Sequence, residues 1–201
     1  MGVHMSRMNS TIVLLLVAIT TLALAGIASA EDTSQLSKDT CKDCKDKCKW
    51  VGYENVRLIA GQHIDVGSVN AKVVGDYLYV TFKTTDGWKM TDTHLYVGTE
   101  KPSKHAPGQF PYKSGKLSGV TSYTYKVPLS DIVSDCSKGD KTVIYLAAHA
   151  DVKKPGAGSE TAWGEGDCIS VNPQGKCAPW AMYFDMKLKC ICDNVKPPAP
   201  R

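Results

Sequence analysis

Beyond residue 30 the sequence has no long apolar run. A bilayer-spanning helix needs about 20 mostly apolar residues, so the chain after that point is not expected to be an integral membrane protein. Helix-period segments longer than a few turns are missing as well, which argues against an α-helical domain. Absent too are GxSxG, HExxH, the phosphate-binding P-loop, GxGxxG and CxxCH. With them go the local signatures of serine hydrolases, zinc peptidases, nucleotide sites and c-type haem. No DxDxDG register marks a calcium loop. Charge of one sign is scarce: 24 Lys and Arg stand against 20 Asp and Glu, a formal net charge of +4. Even the most lysine-rich stretch, Lys38 to Lys49, is interrupted by Asp39, Asp43 and Asp46. That pattern is a solvated face and excludes the clustered basic surface that nucleic acid requires.

What is present begins with a secretory signal. Arg7 supplies a positive start, Ile12 to Ile27 are almost wholly apolar, and Ala28-Ser29-Ala30 has the small-x-small form read by signal peptidase. Cleavage is expected before Glu31. The exported part then carries 23 basic and 20 acidic residues, a formal +3, since Arg7 is the one charged residue removed. It also carries all eight cysteines: Cys41, Cys44, Cys48, Cys136, Cys168, Cys177, Cys190 and Cys192. An even count behind a signal peptide reads as a disulfide framework formed under oxidising conditions, and eight cysteines allow 105 pairings. Cys41-x2-Cys44-x3-Cys48 also has the spacing of a metal or cluster site, although no fourth Cys or His stands nearby. Four segments follow: a signal peptide at 1–30, a Cys/Lys/Asp-rich extension at 31–52, a β domain at 53–189 and a Cys-containing tail at 190–201.

The β domain is read from short runs bounded by turn residues: 56–60, 66–74, 77–84, 94–97, 121–127, 142–152 and 179–188. In Tyr77 to Phe82, Leu78, Val80 and Phe82 alternate with Tyr77, Tyr79 and Thr81, so the first set is core. Residues 143–148 are apolar on both faces, which marks a central strand. The expected fold is an all-β antiparallel sandwich, or else a barrel, with long loops at 101–117 and 151–170. The extension is too polar to be held by burial, so at least one bridge should join the 41–48 cluster to Cys190 or Cys192. Those two cysteines lie two apart at the end of the last strand, facing one way, and each needs a distant partner. Cys168 and Cys177 flank a Gly/Pro/Asn loop and form the natural local bridge.

Three segments carry a resemblance: Leu58-Ile59-Ala60-Gly61-Gln62 with Val66-Gly67, Asp86-Gly87-Trp88 leading to His94-Leu95-Tyr96-Val97-Gly98, and Ala147-Ala148-His149-Ala150 leading to Glu160-Thr161-Ala162-Trp163-Gly164-Glu165-Gly166. With Trp180-Ala181-x-Tyr183-Phe184, they make residues 53–185 resemble an uncharacterised β-sandwich module of exported bacterial and archaeal proteins. The resemblance implies occurrence on secreted and surface proteins and brings no catalytic residues with it.

Candidate site residues come from the sequence itself. His94 and His149 lie on strands beside Asp92, Asp151 and Glu160. Two readings stand: metal ligands or acid/base groups, and core histidines bonded to backbone or to Glu160. Glu160 and Glu165 share a Gly-rich loop, as a glycosidase pair would, and Trp163 sits between them. Asp86, Asp92, Glu165 and Asp167 are candidates for a structural calcium; no other cofactor is expected. Phe110 and Tyr112 lie in a proline-stiffened loop that either presents rings to a ligand or caps the sandwich. No catalytic set emerges. The expectation is a non-catalytic secreted or cell-surface module for adhesion, envelope building or self-assembly, whose partner is an extracellular protein or polysaccharide. The alternative is a secreted carbohydrate-binding accessory or hydrolase.

Overall fold

The computed structural model describes residues 48–193. The expected signal peptide at 1–30, Cys41, Cys44 and the proline-rich end of the chain lie outside the described residues. Eleven antiparallel strands form one sheet: β1 Cys48–Val51, β2 Tyr53–Ala60, β3 Ile64–Val74, β4 Tyr77–Thr84, β5 Lys89–Gly98, β6 Tyr112–Lys113, β7 Ser122–Pro128, β8 Lys141–Lys154, β9 Gly158–Gly164, β10 Asp167–Cys168 and β11 Met182–Cys192. The main path runs β1-β11-β8-β9-β2-β3-β4-β7, with β5 on β8, β6 on β5 and β10 on β11. Its ends, β1 and β7, do not pair, so the sheet is not closed and the barrel alternative is excluded.

Alternation explains which faces meet. Leu78, Val80 and Phe82 are fully buried while Tyr77 stays exposed, as a period of two requires. One core cluster joins inward residues of β2, β3, β4 and β7 to Leu95 of β5, Ile144 and Leu146 of β8 and Met186 of β11. The sheet therefore folds over on itself as a sandwich does, and each buried Leu, Ile or Phe contributes roughly 1.5–3 kcal/mol. The chain crosses between layers at Asp86-Gly87, where both residues have positive φ (52° and 82°), the requirement of a type I′ turn. Trp88 is buried immediately after it.

β8 is the central strand that its two apolar faces require. β5 pairs with it from Tyr145 to Lys153. Because that span overlaps both other partners, β11 (on Lys141–Leu146) and β9 (on His149–Lys154) must share the opposite edge. Its outward face carries a second apolar cluster of Ile59, Ala147, Trp163 and Tyr183, covered by Phe110.

Two expectations need correction. The stretch 151–170 is not a long loop: most of it is the β8–β9 hairpin, turned at Gly156 and Gly158, both with positive φ. The polar Ser159 and Thr161 hide that strand's periodicity, and the glycines read as loop. Nor is all of 31–52 a tether, since Cys48–Val51 pairs along β11 and Trp50 donates its indole N–H to the Ser134 carbonyl at 2.9 Å.

Among the described residues three disulfides brace the fold. Cys48–Cys192 joins register partners on β1 and β11, Cys136–Cys190 secures the β7–β8 connection, and Cys168–Cys177 is local. The expected clamp between the 41–48 cluster and the Cys190/Cys192 pair is thus formed by Cys48. Both cysteines of that pair are bonded, each to a distant residue.

Candidate functional site

β5 carries Asp92-Thr93-His94 and β8 carries His149-Ala150-Asp151. Antiparallel pairing sets His94 opposite His149 and Asp92 opposite Asp151. Residues two apart share a face, so all four side chains leave the sheet on its outward side. The imidazoles lie side by side, ring centroids 5.6 Å apart, and His149 packs edge-on against Trp163 at 4.9 Å. Each Nε2 faces the carboxylate of its own strand: His94 to Asp92 at 3.9 Å, His149 to Asp151 at 3.8 Å. Both separations exceed hydrogen-bonding distance. The two Nδ1 atoms are buried with no partner among the described residues.

Burial, and then the neighbouring His94, push His149 down to about 3. The ring is neutral at ordinary pH, so its approach to Asp151 is not an ion pair. Burial and then Asp92 raise Asp151 above the usual carboxylate range, with His94 pulling the other way. Asp92 is oriented by Ser114, whose hydroxyl donates to Oδ1 at 3.0 Å. The carboxylates lie toward solvent, their side chains 32% and 46% exposed against 13% and 6% for the imidazoles.

The other sequence candidates separate. Glu160 pairs with Val152 and lies three residues from Trp163, which puts it on the opposite face from the histidines; it makes no bond to either ring. Glu165 is bound to Arg57, whose Nε donates to Oε2 at 2.9 Å and whose Nη2 bonds Oε1. The guanidinium holds that carboxyl below its ordinary range, which suits an ion pair and not a general acid. Among the four calcium candidates, Asp86 bonds Thr85, Asp92 faces His94, Glu165 holds Arg57 and Asp167 accepts from the Tyr183 hydroxyl; they do not converge. Phe110 is 2% exposed and packs on Tyr96 and Trp163, and Tyr112 packs on Tyr125. Phe110 is withdrawn into the outward cluster, and Tyr112, on β6, is half-buried against the inward one.

A different set of rings is offered. On the outward face of β2, β3, β4 and β7, register aligns Tyr53, Lys72, Tyr79 and Lys126 in one row across four strands. Asn55, Asn70, Thr81 and Thr124 form the row on one side, and Val74, Tyr77 and Pro128 the row on the other. Tyr53 is 60% exposed, Val74 51% and Tyr77 37%. Lys126 lies over the Tyr77 ring with Nζ 3.9 Å from its centroid. None of these three rows contains an acid; Asp76 borders Tyr77 and Pro128 at one end of the face, and Glu165 is bound to Arg57 at the other.

The chain matches no family model, no curated protein and no solved structure.

Geometry alone therefore ranks the sites. The sulfurs of Cys48, Cys190 and Cys192 lie close enough together for a metal, but all three are committed to disulfides, so the three-thiolate site starting at Cys41 loses Cys48. Cys48, Cys190 and Cys192 thus offer no free thiol. The tyrosine–lysine rows escaped the sequence reading because it placed Tyr77 and Tyr79 on the non-core face of one strand but had no means of placing Lys72 and Lys126 beside them. Alternation was the available signal, and strand order was the missing one.

Proposed function

We propose that this protein is a non-catalytic, exported module, secreted or held at the cell surface, that adheres to an anionic polysaccharide through the outward face of β2, β3, β4 and β7. The observation that carries this reading is the row Tyr53–Lys72–Tyr79–Lys126, which alternates aromatic and cationic side chains without an intervening acid, Tyr53 being exposed and Tyr79 half-buried. Three inter-strand steps make the row about 14 Å long. A surface of that kind provides apolar stacking area for sugar rings and fixed positive charge for carboxylate or sulfate groups, while flanking Asn and Thr side chains supply hydrogen bonds to hydroxyls. The fold supports the reading: continuous antiparallel pairing of β2, β3, β4 and β7 over a buried core presets the face, and preorganised surfaces lose less entropy on binding. Export through residues 1–30, and the likeness of residues 53–185 to exported bacterial and archaeal modules, belong to the same proposal.

The experiment is retention of the oxidised protein on uronate-rich, sulfated and neutral polysaccharides, with soluble sugar release measured in parallel. Retention on the anionic polymers, weakened by salt and reduced about tenfold or more by Lys72→Glu or Tyr79→Ala, equivalent to about 1.4 kcal/mol, is expected. Equal retention on neutral polymers, or indifference to both substitutions, would refute the site. Release of soluble sugar that persists in those variants would favour a hydrolase.

A further inference from the structure

The sandwich has a second outward face, on the layer opposite the tyrosine and lysine rows, and its chemistry differs from theirs. Along β11, Met186, Leu188 and Cys190 are buried, so Asp185, Lys187, Lys189 and Ile191 project outward. Register sets Lys189 between Val51 of β1 and Lys141 of β8, Lys187 beside Val143, and Ile191 beside Lys49. Four lysines and three aliphatic side chains thus share one patch at the β1 end of the sheet. The core separates it from the other face, because Ile144 and Met186 share the inward cluster with Val69 and Val80.

The needs of the fold do not account for this patch. Lys141 and Lys189 are direct cross-strand partners, and like charges so placed are destabilising. Lys49 meets Asp193 at 4.0 Å, but among the described residues Lys141, Lys187 and Lys189 have no carboxylate within that distance. The nearest outward acid along β11, Asp185, faces Tyr145. All three lysines line a shallow groove of about 300 Å³, together with Val143 and the buried Leu188. Ile191, on the same face, is 37% exposed. An anionic group would meet three cations in that groove, and a carbon chain attached to it would meet an apolar wall.

We infer that the outward face of β1, β11 and β8 docks on an anionic lipid bilayer. What stands among the lysines selects this occupant. Each lysine held near an anionic leaflet strengthens binding about fivefold. Long lysine stems let the ammonium groups reach headgroup phosphates while aliphatic neighbours enter the interface. Val51, Val143 and Ile191 suit that role, and they lack the flat rings that sugars stack on and that the opposite layer supplies. The ring bordering the patch, Tyr145, is already packed edge-on against Tyr183, with Lys101 Nζ 5.9 Å from its centroid. Since the two faces belong to opposite layers, a chain lying on a bilayer through this patch turns the Tyr53–Lys72–Tyr79–Lys126 row away from it.

The test is co-sedimentation of the disulfide-intact exported chain with vesicles of phosphatidylcholine, alone or mixed with phosphatidylglycerol, at low and high salt. Binding should require phosphatidylglycerol and weaken with salt. Lys187→Glu/Lys189→Glu should lower it at least about tenfold. That variant sets a carboxylate opposite Lys141, which favours the strand pairing, so its loss of binding is not a loss of fold. Lys83→Glu/Lys116→Glu changes the net charge equally at exposed positions outside the patch and should bind vesicles as the parent does. Ile191→Ser keeps every charge and should weaken binding about threefold or more, as the withdrawal of an inserted aliphatic group does. Absence of vesicle binding, equal binding without phosphatidylglycerol, binding that survives the Lys187 and Lys189 substitutions, an equal loss in the Lys83 and Lys116 variant, or indifference to Ile191→Ser would each overturn the proposal. So would a soluble sulfated polysaccharide bound through Lys187 and Lys189 as tightly as the vesicles, since the face would then serve a polymer. The Lys187→Glu/Lys189→Glu variant should keep its polysaccharide retention through Lys72 and Tyr79, so either proposal can fail alone.

Discussion

Replacing Cys48 and Cys192 together by serine opens the bridge with the largest sequence separation, 144 residues. β1 keeps its four register partners on β11 and the Trp50 hydrogen bond to Ser134, so the native structure should survive and the effect should fall on the unfolded chain. Chain-entropy reasoning for a loop of that length yields about 5 kcal/mol. The Cys136–Cys190 bridge shortens the effective loop, because a path from Cys48 to Cys136 and from Cys190 to Cys192 spans only about 90 residues. The figure falls to about 4.5 kcal/mol, still more than the roughly 2.5 kcal/mol for the nine-residue separation of Cys168 and Cys177. Urea unfolding of the oxidised proteins, with thiols counted, measures both losses. The Cys48/Cys192 variant should be the less stable and should show the larger m-value, since its unfolded state is freer to expand. A loss below about 1 kcal/mol, or a larger loss from the local bridge, would refute the argument that the clamp acts by restraining the two ends of the unfolded chain.

Phe110→Ala should cost about 3–5 kcal/mol, as for an aromatic removed from a core, because the ring is wedged between Tyr96 and Trp163; a change under about 0.5 kcal/mol in urea unfolding would mean that the ring faces solvent. Burial pushes the Tyr125 phenol up to about 12, while its hydroxyl donates to the Thr93 carbonyl at 2.7 Å. An acid with a raised folded pKa has its full stability below the unfolded value near 10 and loses it as pH rises toward 12, so unfolding free energy should fall by about 1 kcal/mol by pH 11. Tyr125→Phe should remove that component of the alkaline slope; an unchanged slope in the variant counts against burial as the cause.

Residue order alone was enough to place most of the strands, though not β1 or β9, and to tell which face of an alternating strand is core, because side-chain alternation is intrinsic to an extended backbone and requires no partner. Leu78, Val80 and Phe82 are buried as their spacing requires, and β8, apolar on both faces, has neighbours on both edges. Cysteine placement likewise made the local Cys168–Cys177 bridge and a clamp from the 41–48 cluster legible. Strand order was decided by tertiary structure. Chain sequence makes β4 the neighbour of β5, yet β5 pairs with β8 across the sandwich, and that pairing alone sets His94 against His149 and Asp92 against Asp151. The Tyr53–Lys72–Tyr79–Lys126 row needs four strands and three registers to exist, and a slip of one residue in any of them would turn its members to the other face. Phe110 and Tyr112 show the same limit for loops: a ring's exposure depends on the surface on which its loop comes to rest. That surface is assembled from Tyr96, Tyr125 and Trp163, residues distant in the chain and brought together only by the folded sheet.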